Sequence, residues 1–120
     1  MAIFEVWDIV KVPFPYTDRP VRQRRPALIV AAGEIEAAHG LLWLVMITSA
    51  ENRGWPGDVG ISDLGAAGLP APSIVRPAKI ATVDARDAQR LGTLPHADRE
   101  AVASCLRGIL SVALERSGRR

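Results

Sequence analysis

Hydrophobic periodicity changes once along this chain of 120 residues. Up to residue 83 the apolar residues come in short, β-branched runs cut by prolines and glycines. From about residue 95 they recur at helical spacing, at Val102, Cys105, Leu106, Ile109, Leu110 and Ala113. Runs of the first kind bury their apolar groups only by pairing as strands, and a stripe of the second kind only by lying on something else. No strand–helix–strand alternation is present, which excludes a parallel sheet built from crossover units. The expected class is mainly β (α+β): one domain, residues 1–120, made of a small barrel or curled sheet packed by helices.

The runs can be placed one by one. Residues 7–14 carry Ile9, Val10 and Val12 and stop at Pro13-Phe14-Pro15. Residues 15–25 hold Pro15, Pro20, Thr17, Asp18 and four arginines, a loop long enough to suggest a task of its own. Pro26 suits the first position of a strand, where no ladder donor is needed, and residues 26–32 and 41–48 read as buried strands. Residues 34–40 connect them. A second loop, residues 49–57, contains Asn52-Arg53-Gly54-Trp55-Pro56-Gly57. A short strand is expected at 58–61, a turn or helical loop at 62–68, and one or two strands over 73–83, broken near Pro77. Asp84 is placed to cap a helix running to Leu91, with Gly92 as its stop.

The usual catalytic parts are scarce. The single cysteine, Cys105, can form no intrachain disulfide, sits on the apolar stripe and has no metal-ligand spacing around it. His39 falls in a turn and His96 at a helix start. No Gly-rich phosphate loop or serine elbow occurs. The longest apolar run, residues 41–47, is far short of the roughly 20 residues that span a bilayer. With no basic start or clean apolar stretch at the N-terminus, the expected location is the cytoplasm. No metal and no cofactor are expected.

What remains for an enzyme is arginine and hydroxyl chemistry, with a carboxylate as a third option. Thirteen arginines stand against two lysines, Lys11 and Lys79. A guanidinium fork grips phosphate in two places, which an ammonium cannot do. Arginine-rich coding is an equally good account of the number alone, so position has to decide. Arg22, Arg24 and Arg25 press directly against an apolar strand, and Thr48-Ser49 end the most apolar strand in the chain. RNA supplies its own nucleophile, the 2′-hydroxyl. A protein that cleaves it needs to hold the phosphate, offset charge on its oxygens and assist proton movement.

The order Trp7-Asp8-Ile9-Val10-Lys11-Val12-Pro13-Phe14, Arg24-Arg25-Pro26-Ala27-Leu28-Ile29-Val30 and Ile47-Thr48-Ser49 resembles the MazF/PemK family of toxin endoribonucleases. Pro56-Gly57-Asp58-Val59, Ala67-Gly68-Leu69, Pro72-Ser73-Ile74-Val75-Arg76 and Lys79-Ile80-Ala81-Thr82-Val83-Asp84 continue the likeness over nearly the whole chain. The resemblance implies an SH3-like β-barrel of the MazF/PemK/CcdB type with a C-terminal helix, working as a homodimer. It implies the toxin of a type II toxin–antitoxin pair, cutting single-stranded RNA, expected to be mRNA, without a metal. The ends would be 2′,3′-cyclic phosphate and 5′-hydroxyl. The partner would be a cognate acidic antitoxin laid into the RNA groove.

On this resemblance Arg25 and Thr48 are the catalytic positions, and Arg24, Ser49, Arg76 and Tyr16 are expected to contact RNA. Arg25 would act on the scissile phosphate chiefly through its charge. Tyr16 and Trp55 either stack on unpaired bases or simply pack. Two positions depart from the family pattern. Ala78 stands where some relatives have an acid two residues after the arginine, and the first loop lacks a glutamate before its arginine motif. The alternative is a degenerate barrel that binds protein or nucleic acid without cutting; a gyrase-directed toxin is the more remote option.

Overall fold

The structure, a computed structural model, describes residues 3–13 and 23–118. Its strands are β1 (Asp8–Pro13), β2 (Arg24–Ala31), β3 (Leu41–Ser49), β4 (Val59–Gly60), β5 (Ser73–Asp84) and β6 (Gln89–Thr93). Its α-helices are α1 (Glu34–His39), α2 (Leu64–Ala67) and α3 (His96–Gly118). The strands form one antiparallel sheet in the order β4-β5-β3-β2-β1-β6.

Alternation along the central strands fills both faces. Ile9, Leu28, Val45, Ile47 and Val75 point to one side and pack with Ala67, Leu69, Leu94 and Val102 from α2, α3 and their flanks. Val10, Val12, Ala27, Ile29, Leu42, Leu44 and Met46 point to the other and form a second cluster. Each fully buried Val, Leu or Ile contributes about 1.5–3 kcal/mol, so these alternating rows dominate the stability of the sheet.

The sheet curls until its two ends approach. Between them lies α2, capped at its start by Asp63, whose carboxylate accepts from Ala66 N at 3.1 Å. Its C-cap, Gly68, is left-handed (φ 73°), and a Cβ there would stand 2.1 Å from the Leu91 carbonyl oxygen. A Cβ on Gly92 would meet the Ala66 oxygen at 2.5 Å. Backbone therefore lies on backbone, and only glycine permits it. The expected barrel with a C-terminal helix is what forms, as a half-barrel whose gap α2 covers.

Three local expectations change. The segment after Asp84 is not a helix to Leu91. Asp84 caps only the 3-10 turn Ala85–Asp87, accepting from Arg86 N at 2.9 Å, and the chain then becomes β6. The outer edge of β1 takes β6 as partner, and a ladder of long-range bonds outweighs one local cap. Pro77 does not break β5 but sits buried in a bulge: Arg76 pairs with Met46 and Ile80 with Val45, leaving 77–79 out of register. Arg24 and Arg25 lie inside β2 rather than in the loop before it.

The helical stripe is real but only half used. In α3, Val102 is fully buried and Cys105 and Leu106 are half-buried, whereas Ile109 and Leu110 are 50% and 48% exposed. No helix among the described residues is long and apolar enough to cross a membrane.

Candidate functional site

β2 and β3 pair only from Ala27 and Met46 onward. Before that point Arg24, Arg25 and Pro26 stay on β1, while Ile47, Thr48 and Ser49 stay on β5. Pro26, which has no ladder donor, stands where the pairing gives out. The two strand ends splay and leave a wedge, which opens as a cavity of about 300 Å³. Its wall includes Lys11, Arg25, Pro26, Thr48, Ser49 and Leu91, and residues 68–73 complete it.

The structure thus brings Arg25, Thr48 and Ser49 to one cavity. Arg25 is half-buried and its Nη2 donates to Gln23 Oε1 at 2.8 Å. Thr48 is half-buried, and its Oγ1 accepts from Asn52 Nδ2 at 3.0 Å. Ser49 is exposed and caps the 3-10 turn Ala50–Asn52, its Oγ accepting from Glu51 N at 3.2 Å. Both hydroxyl oxygens act as acceptors in these bonds, which leaves the hydrogen of each able to donate elsewhere.

Arg24 is exposed and lies beside the cavity wall. Its Nη2 donates to the carbonyls of Lys11 (3.1 Å) and Asp87 (3.3 Å), strapping β1 to the turn before β6. Arg76 is placed differently from any solvent-facing phosphate ligand. It is 6% exposed. Its Nε and Nη2 grip both oxygens of Asp58 at 3.1 and 3.0 Å, and Nη2 also donates to the Asn52 carbonyl at 2.7 Å. The Trp55 ring lies 4.3 Å from its guanidinium carbon, with Lys79 Nζ 5.4 Å from the same ring. Asp58 also accepts from the N–H groups of Trp55 and Gly54. The Arg76 hydrogen bond, helped by these two, holds the Asp58 carboxyl below the usual carboxylate range against the opposing effect of burial. Tyr16 lies outside the described residues.

Three residues were not singled out from the sequence. Lys11 is the one exposed side chain in a strand of buried ones and lines the cavity opposite Pro26; its break in the apolar run was the available signal. Asn52 lies in the loop expected at 49–57 and Asp58 at the start of the strand expected at 58–61, but nothing in linear order says whom they bond. His39 and His96 are exposed and line no part of the cavity. Among the described residues no three His, Cys, Asp or Glu side chains gather as a metal site.

A second concavity, of about 420 Å³, runs between α3 and the segment before β1 and is lined mainly by Val6, Trp7, Val30, Leu106, Leu110 and Leu114. Leu114 of this lining is 71% exposed; Ile109 and Val112 on α3, outside the lining, are 50% and 54% exposed.

No curated protein sequence matches this chain significantly. Among solved structures, MazF from Deinococcus radiodurans matches with a TM-score of 0.73 at 22% identity, covering 91% of this chain and 97% of that one. A MazE–MazF complex from the same organism matches with a TM-score of 0.69 at 22% identity, over 90% of this chain and 95% of that one. An endoribonuclease in complex with its cognate antitoxin, from a mycobacterial species, matches with a TM-score of 0.68 at 17% identity, over 88% and 93%. At these identities the likeness is one of fold. Sequence carries the assignment further, because the family model for PemK-like, MazF-like toxins matches residues 5–110. The chain belongs to that family, the PemK-like, MazF-like toxins of type II toxin–antitoxin systems.

Proposed function

We propose that the cavity between the splayed ends of β2 and β3 is the site at which this toxin cleaves single-stranded RNA without a metal. The observation that carries this reading is the convergence of Arg25 and Lys11 from one side and Thr48 and Ser49 from the other on one cavity. In the reaction the 2′-oxygen bonds to phosphorus as the bond to the 5′-oxygen breaks. The 2′-hydroxyl gives up its proton, the leaving 5′-oxygen gains one, and the ends are a 2′,3′-cyclic phosphate and a 5′-hydroxyl. Arg25 and Lys11 offset the charge that builds on the non-bridging oxygens, and the Thr48 and Ser49 hydroxyls donate to the same oxygens. Arg24 adds positive potential at the rim and holds β1 in place. Arg76 contributes by holding the loop, since its donors are turned toward Asp58 and Asn52.

The test is cleavage of a long mixed-sequence RNA in EDTA, with Arg25→Ala alongside and the fragment ends mapped. Discrete cuts with cyclic-phosphate ends, lost in the variant, are expected. Intact RNA with folded wild-type protein would favour a binding module on the same barrel.

Two partners follow from the surface. An acidic antitoxin segment suits a cavity that carries Arg25 and Lys11 and would inhibit by occupying it. A second copy of the chain suits the α3 face, where Leu110 and Leu114 would otherwise stay in contact with water. Light scattering should give the mass of a dimer for the wild type and of a monomer for Leu110→Asp. A wild-type monomer at micromolar concentration would remove this assignment.

A further inference from the structure

We infer that Asn52 is a positioning residue for cleavage, clamped by the buried Asp58–Arg76 pair and holding the Thr48 hydroxyl with its proton turned into the cavity. This rests on the cleavage proposed above. Three links in series carry it.

The first link is the ion pair. The side chains of Arg76 and Asp58 are 7% and 9% exposed, so water competes little for their bonds. One guanidinium reaches both ends of the loop, Asp58 through two bonds and the Asn52 carbonyl through a third. The second link is the backbone at Asn52. It ends the 3-10 turn that Ser49 caps, and Arg53 N closes that turn onto the Ala50 carbonyl at 3.3 Å. The main chain of Asn52 is therefore held by the turn on one side and by Arg76 on the other.

The third link is the carboxamide. Asn52 Nδ2 donates to Thr48 Oγ1 at 3.0 Å. A hydroxyl has one hydrogen and two lone pairs, and a donor on one lone pair forbids the rotor in which the hydrogen points back at that donor. Thr48 lines the cavity, so its hydrogen is left for an acceptor there, which in the bound complex is a phosphate oxygen. A donor fixed beforehand needs no reorientation as charge develops, and this is where such groups gain their effect. The choice of amide is part of the device. An aspartate of the same shape would accept from Thr48 and turn the proton back toward the loop.

The experiment is a double-mutant cycle on a short single-stranded RNA containing the mapped cut site, using the full chain. Asn52→Ala should lower kcat by about tenfold and leave KM within about twofold, because a donor is loosened and not removed. In a Thr48→Val background the same substitution should have no further effect, since the group it orients is gone. Asn52→Asp should lose at least as much kcat as Asn52→Ala, with melting midpoints of both variants close to the wild type. Wild-type kcat in Asn52→Asp would show that Thr48 donates to the loop and would overturn the inference. So would additive losses in the Thr48→Val background, which would give Asn52 a role of its own. Wild-type protein that leaves RNA intact would remove the proposed function, and this inference with it. Cleavage by wild type with undiminished Asn52→Ala would remove the inference alone.

Discussion

Arg25 at the start of β2 and Arg76 in the middle of β5 are identical side chains on one sheet, used in opposite directions. Arg25 stands where two strands part, half-buried on the wall of an open cavity. Arg76 stands where β5 bulges, covered by Trp55, with its hydrogen bonds directed at Asp58 and Asn52. Guanidinium chemistry does not distinguish them. What does is placement: Arg25 lines an open cavity, whereas Arg76 is buried between Asp58, Asn52 and Trp55. On the proposed function the region around Arg25 offers charge to RNA, whereas Arg76 uses its own to hold a loop whose far end touches Thr48.

This contrast can be tested by exchanging which property each substitution damages. Arg25→Ala should reduce cleavage about a thousandfold, equivalent to about 4 kcal/mol of transition-state stabilisation, with a melting midpoint near that of the wild type. A large fall in melting midpoint would instead make Arg25 a structural residue like Arg76. Asp58→Ala should do the reverse first, destabilising the fold by about 3 kcal/mol, because it leaves a buried guanidinium without its carboxylate. Urea unfolding measures this, and a change below about 1 kcal/mol would mean that the pair is far more hydrated than its exposure indicates.

The smallest effect concerns pH. The folded-state pKa of Asp58 lies below its ordinary value of 3.8, so the unfolded chain binds the proton more readily. The stabilisation from this carboxylate is then complete above the ordinary carboxylate range and is lost as pH falls through the folded pKa. Thermal melts between about pH 2.5 and 7 should show wild-type stability falling more steeply below about pH 4 than that of Asp58→Asn. Parallel curves would show that other carboxylates dominate acid unfolding.

Much of the architecture was legible before any coordinates. Ile9, Val10 and Val12 marked β1, the 49–57 loop and the short strand after it fell where expected, and Asp63 and Gly68 bracket the helical turn foreseen at 62–68. The failure at 84–91 is instructive because its local signal was genuine: Asp84 does cap a turn. A cap acts on one turn, while the edge of β1 offers a row of donors and acceptors along residues 8–11, and that row determined the conformation of residues 89–93. Arg24 and Arg25 were read as loop for a related reason. Polar side chains at a strand end look like loop unless the partner strand, here β1, is known.

By itself the sequence determined the class of fold and the candidate arginines and hydroxyls, because strand and helix periods and the positions of Arg25, Thr48 and Ser49 beside apolar runs are properties of linear order. It also determined that α3 carries one apolar stripe. Tertiary structure alone decided that Arg25, Lys11 and Thr48 share a cavity, that Arg76 belongs to Asp58, and that the second half of the α3 stripe stays exposed. Each of these depends on which backbone satisfies which donor across the sheet, and that pairing is settled only when the strands take their register.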